Sequence, residues 1–181
     1  MRYLSLLRGI NVAGQKKIKM EDLKALYEGL GFTNVQIYIQ SGNVVFDADD
    51  SLNHQEVIQA AISQQYGFDV PVLIRRQEDV DVIIGNYPFG TVDVTKEGSQ
   101  VLVSLLSKMP EPDDVHALKP FQHASESFVV IDQVAYIKCP NGYGKTKLTN
   151  TLLEKKLDCT STTRNWKSLL QLQMMLEEWY E

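Results

Sequence analysis

The chain has 181 residues, of which 44% are hydrophobic and 23% charged, and its formal net charge is -5. This composition is typical of a folded globular protein, and the length fits one ordinary domain or two small ones. We find no apolar stretch of membrane-spanning length and no signal-peptide pattern, so the sequence predicts a cytoplasmic protein. Two cysteines make no disulfide framework, and Cys139 is interpreted as a small residue at a strand end.

Positive charge is concentrated near the two ends of the sequence. Between Val44 and Asp132 there are 15 acidic and 5 basic residues, a balance of -10, whereas the remaining segments balance to +5. Two glycine-containing stretches are almost purely basic: RGINVAGQKKIK from Arg8 to Lys19, and NGYGKTK from Asn141 to Lys147. Loops of this kind that lead into a helix are places where anions tend to bind.

The first half predicts a β-α-β-β-α-β order. Its elements are a strand at 2–8, a helix at 21–30 stopped by Gly31, a hairpin of VQIYIQ and VVFDA, a helix ending at Gly67, and the strand VPVLIRR. Period-two alternation places Val35, Ile37 and Ile39 on one buried face. Asp50 or Ser51 is expected to cap the second helix, with His54 as a surface residue at its start. This order is the split pattern of the ferredoxin-like fold.

The second half predicts the same order after a short helix at 77–84. Its elements are the strand VLVSLLS, a helix at 112–118, a hairpin of FVVID and VAYIKC, a helix from about Thr146, an edge strand CTSTT, and a last helix from about Arg164 that carries Trp166 and Trp179. The sequence therefore predicts an α+β fold of two ferredoxin-like halves with antiparallel sheets, at 1–86 and 98–181, joined by 87–97 and completed by a C-terminal helix.

Three phrases support this organisation by resemblance. RGINVAG closes the first strand, YIQSGNVVF spans the first hairpin, and TTRNW opens the predicted last helix. Together they resemble the bacterial family catalogued as domain of unknown function 1697. The resemblance implies two ferredoxin-like α+β halves and no established activity. The family usually has a glycine pair after Val12, whereas this chain has Ala13 before Gly14, and a methyl group there narrows the allowed backbone angles.

The segment CPNGYGKT resembles the end of a P-loop but lacks its first glycine. The P-loop pattern requires glycine five positions before Gly144, where this chain has Cys139. The strand before it also belongs to a predicted antiparallel hairpin. The sequence therefore argues against a P-loop nucleotidase, although amides at the following helix start, with Lys145 and Lys147 nearby, would still favour an anion.

The leading hypothesis is a binding site for a small phosphate- or carboxylate-bearing ligand in a cleft between the two halves. Arg164 supports it, because a cation beside a helix start is electrostatically unfavourable unless an anion compensates it. Positive charge would come from Arg8, Lys16, Lys145, Lys147 and Arg164. The ligand would be oriented by Asn11, Ser41, Asn43 and Asn165.

Two other classes of function stay open. A nucleic-acid-binding module would use aromatic residues such as Tyr3 and Tyr38 on an open sheet face, but the acidic middle of the chain opposes a broad phosphate-binding surface. A protein-interaction scaffold would expose a large apolar patch. His54, His116 and His123 show no metal-binding spacing, so no cofactor or metal is expected. Whether the protein is an enzyme, and its oligomeric state, are left open by the sequence.

Overall fold

The structure is a computed structural model that describes residues 1–177. Its strands are β1 (Arg2–Leu7), β2 (Thr33–Tyr38), β3 (Asn43–Asp47), β4 (Val72–Arg75), β5 (Val101–Leu106), β6 (Ser127–Ile131), β7 (Val134–Lys138) and β8 (Ser161–Asn165). Its helices are α1 (Met20–Gly29), α2 (His54–Tyr66), α3 (Gln77–Gly85), α4 (Val94–Glu97), α5 (Pro112–His116), α6 (Asn150–Leu157) and α7 (Trp166–Glu177).

The strands form two four-stranded antiparallel sheets of the same topology. The first sheet has the order β2-β3-β1-β4 and the second β6-β7-β5-β8. In each, the strand that opens the repeat lies between the third and fourth strands of that repeat. The α+β fold with two antiparallel sheets, interleaved helices and a C-terminal helix is therefore confirmed.

The chain divides into two compact units. Unit 1 comprises Met1–Asp81 together with the chain from Leu172 onward, and unit 2 comprises Val82–Gln171. The two divisions fall inside α3 and α7. No helix in residues 1–177 is long and apolar enough to span a membrane.

The core of unit 1 lies between its sheet and the helices α1 and α2. Alternate strand residues such as Tyr3, Val44 and Phe46 pack with helix residues such as Leu23 and Ile58. Period-two alternation in the strands and helical spacing in α1 and α2 each direct one apolar face to this layer. Tyr3 is therefore a core residue. The nucleic-acid hypothesis required it to lie on an open face of the sheet.

Unit 2 repeats this arrangement with one matching strand sequence. β1 reads RYLSLL and β5 reads VLVSLL, so serine occupies the fourth position of both. Ser5 shares a 2.7 Å hydrogen bond with the Tyr27 hydroxyl, and Ser104 shares one of 2.6 Å with the Thr163 hydroxyl. Each buried hydroxyl is thus paired, as buried polar groups require. The repeat extends beyond element order to these strand residues.

Three predictions for unit 1 were wrong: the cap of α2, the strand position of Ile39 and the exposure of His54. Neither Asp50 nor Ser51 caps α2; the Asn53 side chain accepts from the Glu56 amide. Ile39 lies outside β2 with a φ of 53° and is exposed, because the chain turns there. His54, expected at the surface, is buried with only 5% of its area exposed.

The C-terminal elements also begin later than expected. α6 begins at Asn150 and not near Thr146, because Tyr143–Lys145 form a short 3-10 helix and Thr149 is the N-cap. The TTRN sequence belongs to β8, and α7 begins at Trp166. The predicted helical position of Trp179 lies outside the described residues.

Candidate functional site

The basic loop, Arg8–Lys19, has an unusual backbone conformation. Three of its non-glycine residues have positive φ: Asn11 at 55°, Ala13 at 48° and Lys16 at 45°. Such residues lie in the left-handed region, which costs roughly 1–2 kcal/mol where a β-carbon is present. The positive φ of Ala13 gives a physical reason for the glycine that the family usually has there. Strained backbone of this kind persists where surrounding contacts impose it, and it is concentrated at functional sites.

Asn11 is the residue that imposes this conformation. Its Nδ2 donates to the carbonyl oxygens of Ile18 at 3.0 Å and Gln40 at 2.9 Å, and its Oδ1 accepts from the Ile18 amide at 2.9 Å. These bonds join the start of the basic loop to its end and to the β2–β3 turn. The predicted role of Asn11 in orienting a ligand stays a prediction.

Ser41 and Asn43 likewise stabilise the β2–β3 turn. The Asn43 side chain is buried and its Nδ2 donates to the Tyr38 carbonyl oxygen at 2.9 Å and to Ser41 Oγ at 3.0 Å. Gly42, between them, has a φ of 82°, and its carbonyl oxygen accepts from the Leu7 amide at 2.8 Å. The predicted compact polar group therefore exists, and these contacts of Ser41 and Asn43 serve the turn.

A cavity of about 560 Å³ opens beside the basic loop. Its lining includes Asn11, Lys17, Lys19, Asp22, Gln40 and Tyr66. Lys17 and Lys19 are exposed lysines of the loop, and Gln40 comes from the turn that Asn11 fixes. The lining of this basic-loop cavity, which lies wholly in unit 1, thus combines two lysines with a glutamine and a tyrosine.

The first helix contributes its amino end to this cavity. Met20, the first residue of α1, lines the cavity, and Lys19 at the N-cap makes no side-chain capping bond. The first amides of a helix lack intrahelical partners and carry partial positive charge. The carboxylate of Asp22, in the first turn, offsets part of that charge.

The two cations of this loop that the sequence assigned to the site, Arg8 and Lys16, do not line the cavity. Lys16 does not line the basic-loop cavity; its Nζ donates to the carbonyl oxygen of Asp69. Arg8 follows β1, and its amide donates to the Pro71 carbonyl oxygen at 2.9 Å. The cavity is lined by Lys17 and Lys19, whereas the sequence assigned Lys16 to the site, and a ligand contact of Lys16 stays a prediction.

The second basic loop lies in unit 2 and has its own geometry. Lys145 and Lys147 are exposed, and a turn separates them from α6. The Thr149 hydroxyl accepts from the Leu152 amide at 3.3 Å, so a side chain already caps this helix. This bond satisfies one of the unpaired amides at the start of α6, and the anion-binding role of the two lysines stays a prediction. The convergence of the two basic loops stays a prediction.

Arg164 and Asn165 also have structural positions. Arg164 lies in β8 opposite Val103, and its Nη1 donates to the Thr163 carbonyl oxygen at 2.9 Å. Asn165 Oδ1 accepts from the Ser168 amide at 2.8 Å, so Asn165 caps α7. Arg164 is therefore a residue of strand β8. Its position shortly before α7 does not by itself require an anionic partner.

Cys139 agrees with its interpretation as a structural residue. It follows β7, is fully buried, and its thiol donates to the Gln100 carbonyl oxygen at 3.2 Å. Burial raises the pKa of this thiol to about 11, which disfavours the reactive thiolate. In residues 1–177, no cluster of three His, Cys, Asp or Glu side chains is arranged to hold a metal ion.

Comparisons with known proteins agree with the motifs. A family model described as a protein of unknown function, DUF1697, matches residues 1–136. The structure of a conserved bacterial protein from Streptococcus pneumoniae is similar, with a TM-score of 0.74 and 24% identity, over 97% of this chain and 98% of that one. The sequence has no match among curated proteins. Because the family model matches well over half of the sequence, the chain belongs to the DUF1697 family.

Proposed function

We propose that the protein binds a small phosphate- or carboxylate-bearing ligand in the basic-loop cavity of unit 1. One observation carries the proposal: a loop with three left-handed non-glycine residues is pinned by Asn11 beside a cavity lined by two exposed lysines. Three of the seven non-glycine residues with positive φ in residues 1–177 lie in this one loop. A loop that must present groups to a ligand would benefit from this conformation.

The groups at the cavity suit a small anion. Lys17 and Lys19 supply positive charge, and the amino end of α1 supplies amides with partial positive charge. The Gln40 amide and the Tyr66 hydroxyl are donors for the remainder of the ligand. Asp22 would repel a second negative group, so we infer a compact ligand with one anionic end.

The fixed loop conformation lowers the cost of binding. The Asn11 side chain bonds to Ile18 and Gln40, which restrains the loop and the β2–β3 turn. Side chains and backbone that are ordered beforehand lose little conformational entropy on binding. A charge-assisted hydrogen bond then contributes roughly 1.5–3 kcal/mol.

The experiment is a thermal-shift and calorimetric comparison of wild type with Lys17→Gln/Lys19→Gln. The probes are inorganic phosphate, acetate, nucleoside monophosphates and sugar phosphates at constant ionic strength. We expect at least one probe to raise Tm of the wild type, and the double variant to bind it at least about tenfold more weakly. Lys96→Gln is the matched control, because that lysine is 82% exposed and lies in unit 2.

Other outcomes of these experiments would contradict the proposal or favour another class of ligand. If no anion raises Tm, or if the double variant binds as the wild type does, the proposal is wrong. Lys145→Gln/Lys147→Gln tests the second basic loop separately, and unchanged affinity there would confine the ligand to unit 1. Tight binding of single-stranded RNA that weakens steeply with salt would favour the nucleic-acid class instead.

We also infer a cytoplasmic location. Cys139 and Cys159 are both free thiols, which fits a reducing compartment. Fractionation of cells that produce the protein tests this inference, and recovery in an extracellular or periplasmic fraction would contradict it.

A further inference from the structure

Unit 1 contains a second cavity, of about 480 Å³, whose lining shares no residue with the basic-loop cavity. It lies where α2 and α3 begin, beside the end of β4. The polar groups that matter for its chemistry are those of Tyr3, Asp50, His54, Arg75, Arg76 and Asp79.

His54 is an unsatisfied buried group in this lining. Its ring is 4.7 Å from the Tyr3 ring, 5.4 Å from the Phe32 ring and 5.9 Å from the Phe46 ring, centroid to centroid. Neither ring nitrogen has a hydrogen-bond partner in residues 1–177, although only 5% of the residue is exposed. A buried polar atom without a partner costs roughly 1–3 kcal/mol, so an acceptor that reached a His54 ring nitrogen from the cavity would offset that cost.

The amino end of α2 faces the same space. α2 has 13 residues, and its N-cap Asn53, with His54 and Gln55, lines the cavity. The Asn53 side chain accepts only a 3.4 Å bond from the Glu56 amide. A helix of this length presents partial positive charge at its amino end, which favours an anion nearby.

Arg75 is the arginine of this lining that no carboxylate pairs directly, although the lining as a whole carries two arginines and two aspartates. Its Nη1 donates to the Ile74 carbonyl oxygen at 2.7 Å, and it makes no ion pair within residues 1–177. Burial lowers the pKa of Arg75, which means that its surroundings penalise the charged form, while the charge of Asp79 opposes that effect. A partly buried guanidinium without a carboxylate partner is a favourable place for an anion.

The neighbouring charges are already paired. Arg76 Nη2 donates to Asp50 Oδ1, which also accepts from the Tyr3 hydroxyl at 2.7 Å. Asp79 Oδ2 accepts from the Arg76 amide at 2.8 Å. These bonds pair Arg76 and hold both carboxylates in place. Because the two carboxylates would repel further negative charge, we expect a ligand with a single anionic group.

We propose that this cavity binds a small oxyanion, a carboxylate or a phosphate, with Arg75 as its charge partner and the His54 ring as its hydrogen-bond donor. The planar guanidinium matches two oxygens of either group. The imidazole N–H would donate to the same group, which would satisfy one orphaned nitrogen. This site is separate from the basic-loop cavity, so it does not depend on the proposed function.

The test follows the His54 imidazole and the Arg75 guanidinium by NMR while inorganic phosphate, and separately acetate, replaces chloride at constant pH and ionic strength. We expect saturable shifts of both groups for at least one anion. Arg75→Gln should weaken the binding seen at His54 at least about tenfold. His54→Phe, which keeps an aromatic ring in the core, should weaken the binding seen at Arg75.

The control variant Lys17→Gln/Lys19→Gln separates the two proposals. It should leave the shifts of His54 and Arg75 unchanged, even if it abolishes binding at the basic loop. Absence of saturable shifts, or shifts that persist at full affinity in Arg75→Gln, would overturn the second site. Shifts that disappear in the lysine variant would also overturn it, because they would come from the basic-loop cavity.

Discussion

Gly42 shows how one residue holds the turn beside the candidate site. A β-carbon at this position would lie 2.7 Å from Leu7 Cβ and 2.8 Å from Ile10 Cδ1, and the φ of 82° already disfavours a side chain. We expect Gly42→Ala to lower the free energy of unfolding by about 2–4 kcal/mol, from backbone strain together with overpacking. Chemical denaturation of both proteins measures the difference.

Gly31 provides the matched control for this prediction. Its φ is 86°, and a β-carbon there would meet no atom within 4 Å. Gly31→Ala should therefore show only the backbone cost, about 1–2 kcal/mol. Equal losses in the two variants would show that the turn does not depend on the close approach of Gly42 to Leu7 and Ile10.

Other residues show what sequence patterns leave open about the site. Asn11 and Asn43 donate from their side-chain amides to backbone carbonyl oxygens, and Ser41 Oγ accepts from Asn43. Lys17, Lys19 and Tyr66 line the cavity together with Asn11. A polar residue in a loop can bind a ligand or stabilise the loop itself, and only the three-dimensional contacts decide between these two roles.

At the scale of elements, the start of α7 depends on one side chain. Asn165 is the last residue of β8, and its Oδ1 caps the Ser168 amide at 2.8 Å. We expect Asn165→Ala to destabilise the protein by about 1 kcal/mol, since the cap is lost while the strand backbone bonds remain. Asn165→Asp keeps the acceptor and should unfold within a few tenths of a kcal/mol of the wild type.

Urea denaturation of the three proteins measures this effect. A loss of similar size in Asn165→Ala and Asn165→Asp would mean that the amide nitrogen, and not the capping oxygen, is what the protein requires. No loss in Asn165→Ala would mean that α7 is held in place without this cap.

Most elements were predictable because their periodicity is local. The stops at Gly31 and Gly67 are confirmed, since both have positive φ after a helix. The start of α6 was not predictable, because Thr146 and Thr149 are both acceptable caps by residue type. The buried Thr146 instead accepts from the Leu148 amide at 3.2 Å, which leaves Thr149 to begin the helix.

At the scale of the whole molecule, buried tyrosines in both units couple stability to alkaline pH. Burial raises the pKa of Tyr27 in unit 1, against the opposing bond from Ser5. Burial raises the pKa of Tyr87 and Tyr136 in unit 2 to about 12, with nearby Glu97 and Asp132 acting in the same direction. These phenols are therefore protonated in the folded protein at pH values where they ionise in the unfolded chain.

The sign of the effect follows from proton linkage. The stabilisation is fully present below about pH 10, the unfolded value, and is lost as pH rises toward the folded values. We expect the free energy of unfolding to fall from about pH 9 to about pH 11, and to fall less steeply in Tyr27→Phe. Denaturation at a series of pH values measures both slopes, and identical slopes would contradict the assignment to Tyr27.

The sequence by itself determined the family, the α+β class and the order of elements in both halves. These features depend on local signals: alternation in strands, helical spacing, stop glycines, and the motifs RGINVAG and YIQSGNVVF. It also located a basic loop in an otherwise acidic chain.

Only the tertiary structure decided which side chains face a cavity. It buried His54 among aromatic rings, left Arg75 without an ion-pair partner in the described residues, and assigned Asn11 to hold the loop. The physical reason is that orientation and hydrogen-bond pairing arise from contacts between residues far apart in sequence. Residue type and local spacing fix what a side chain is able to do, whereas those distant contacts fix what it does.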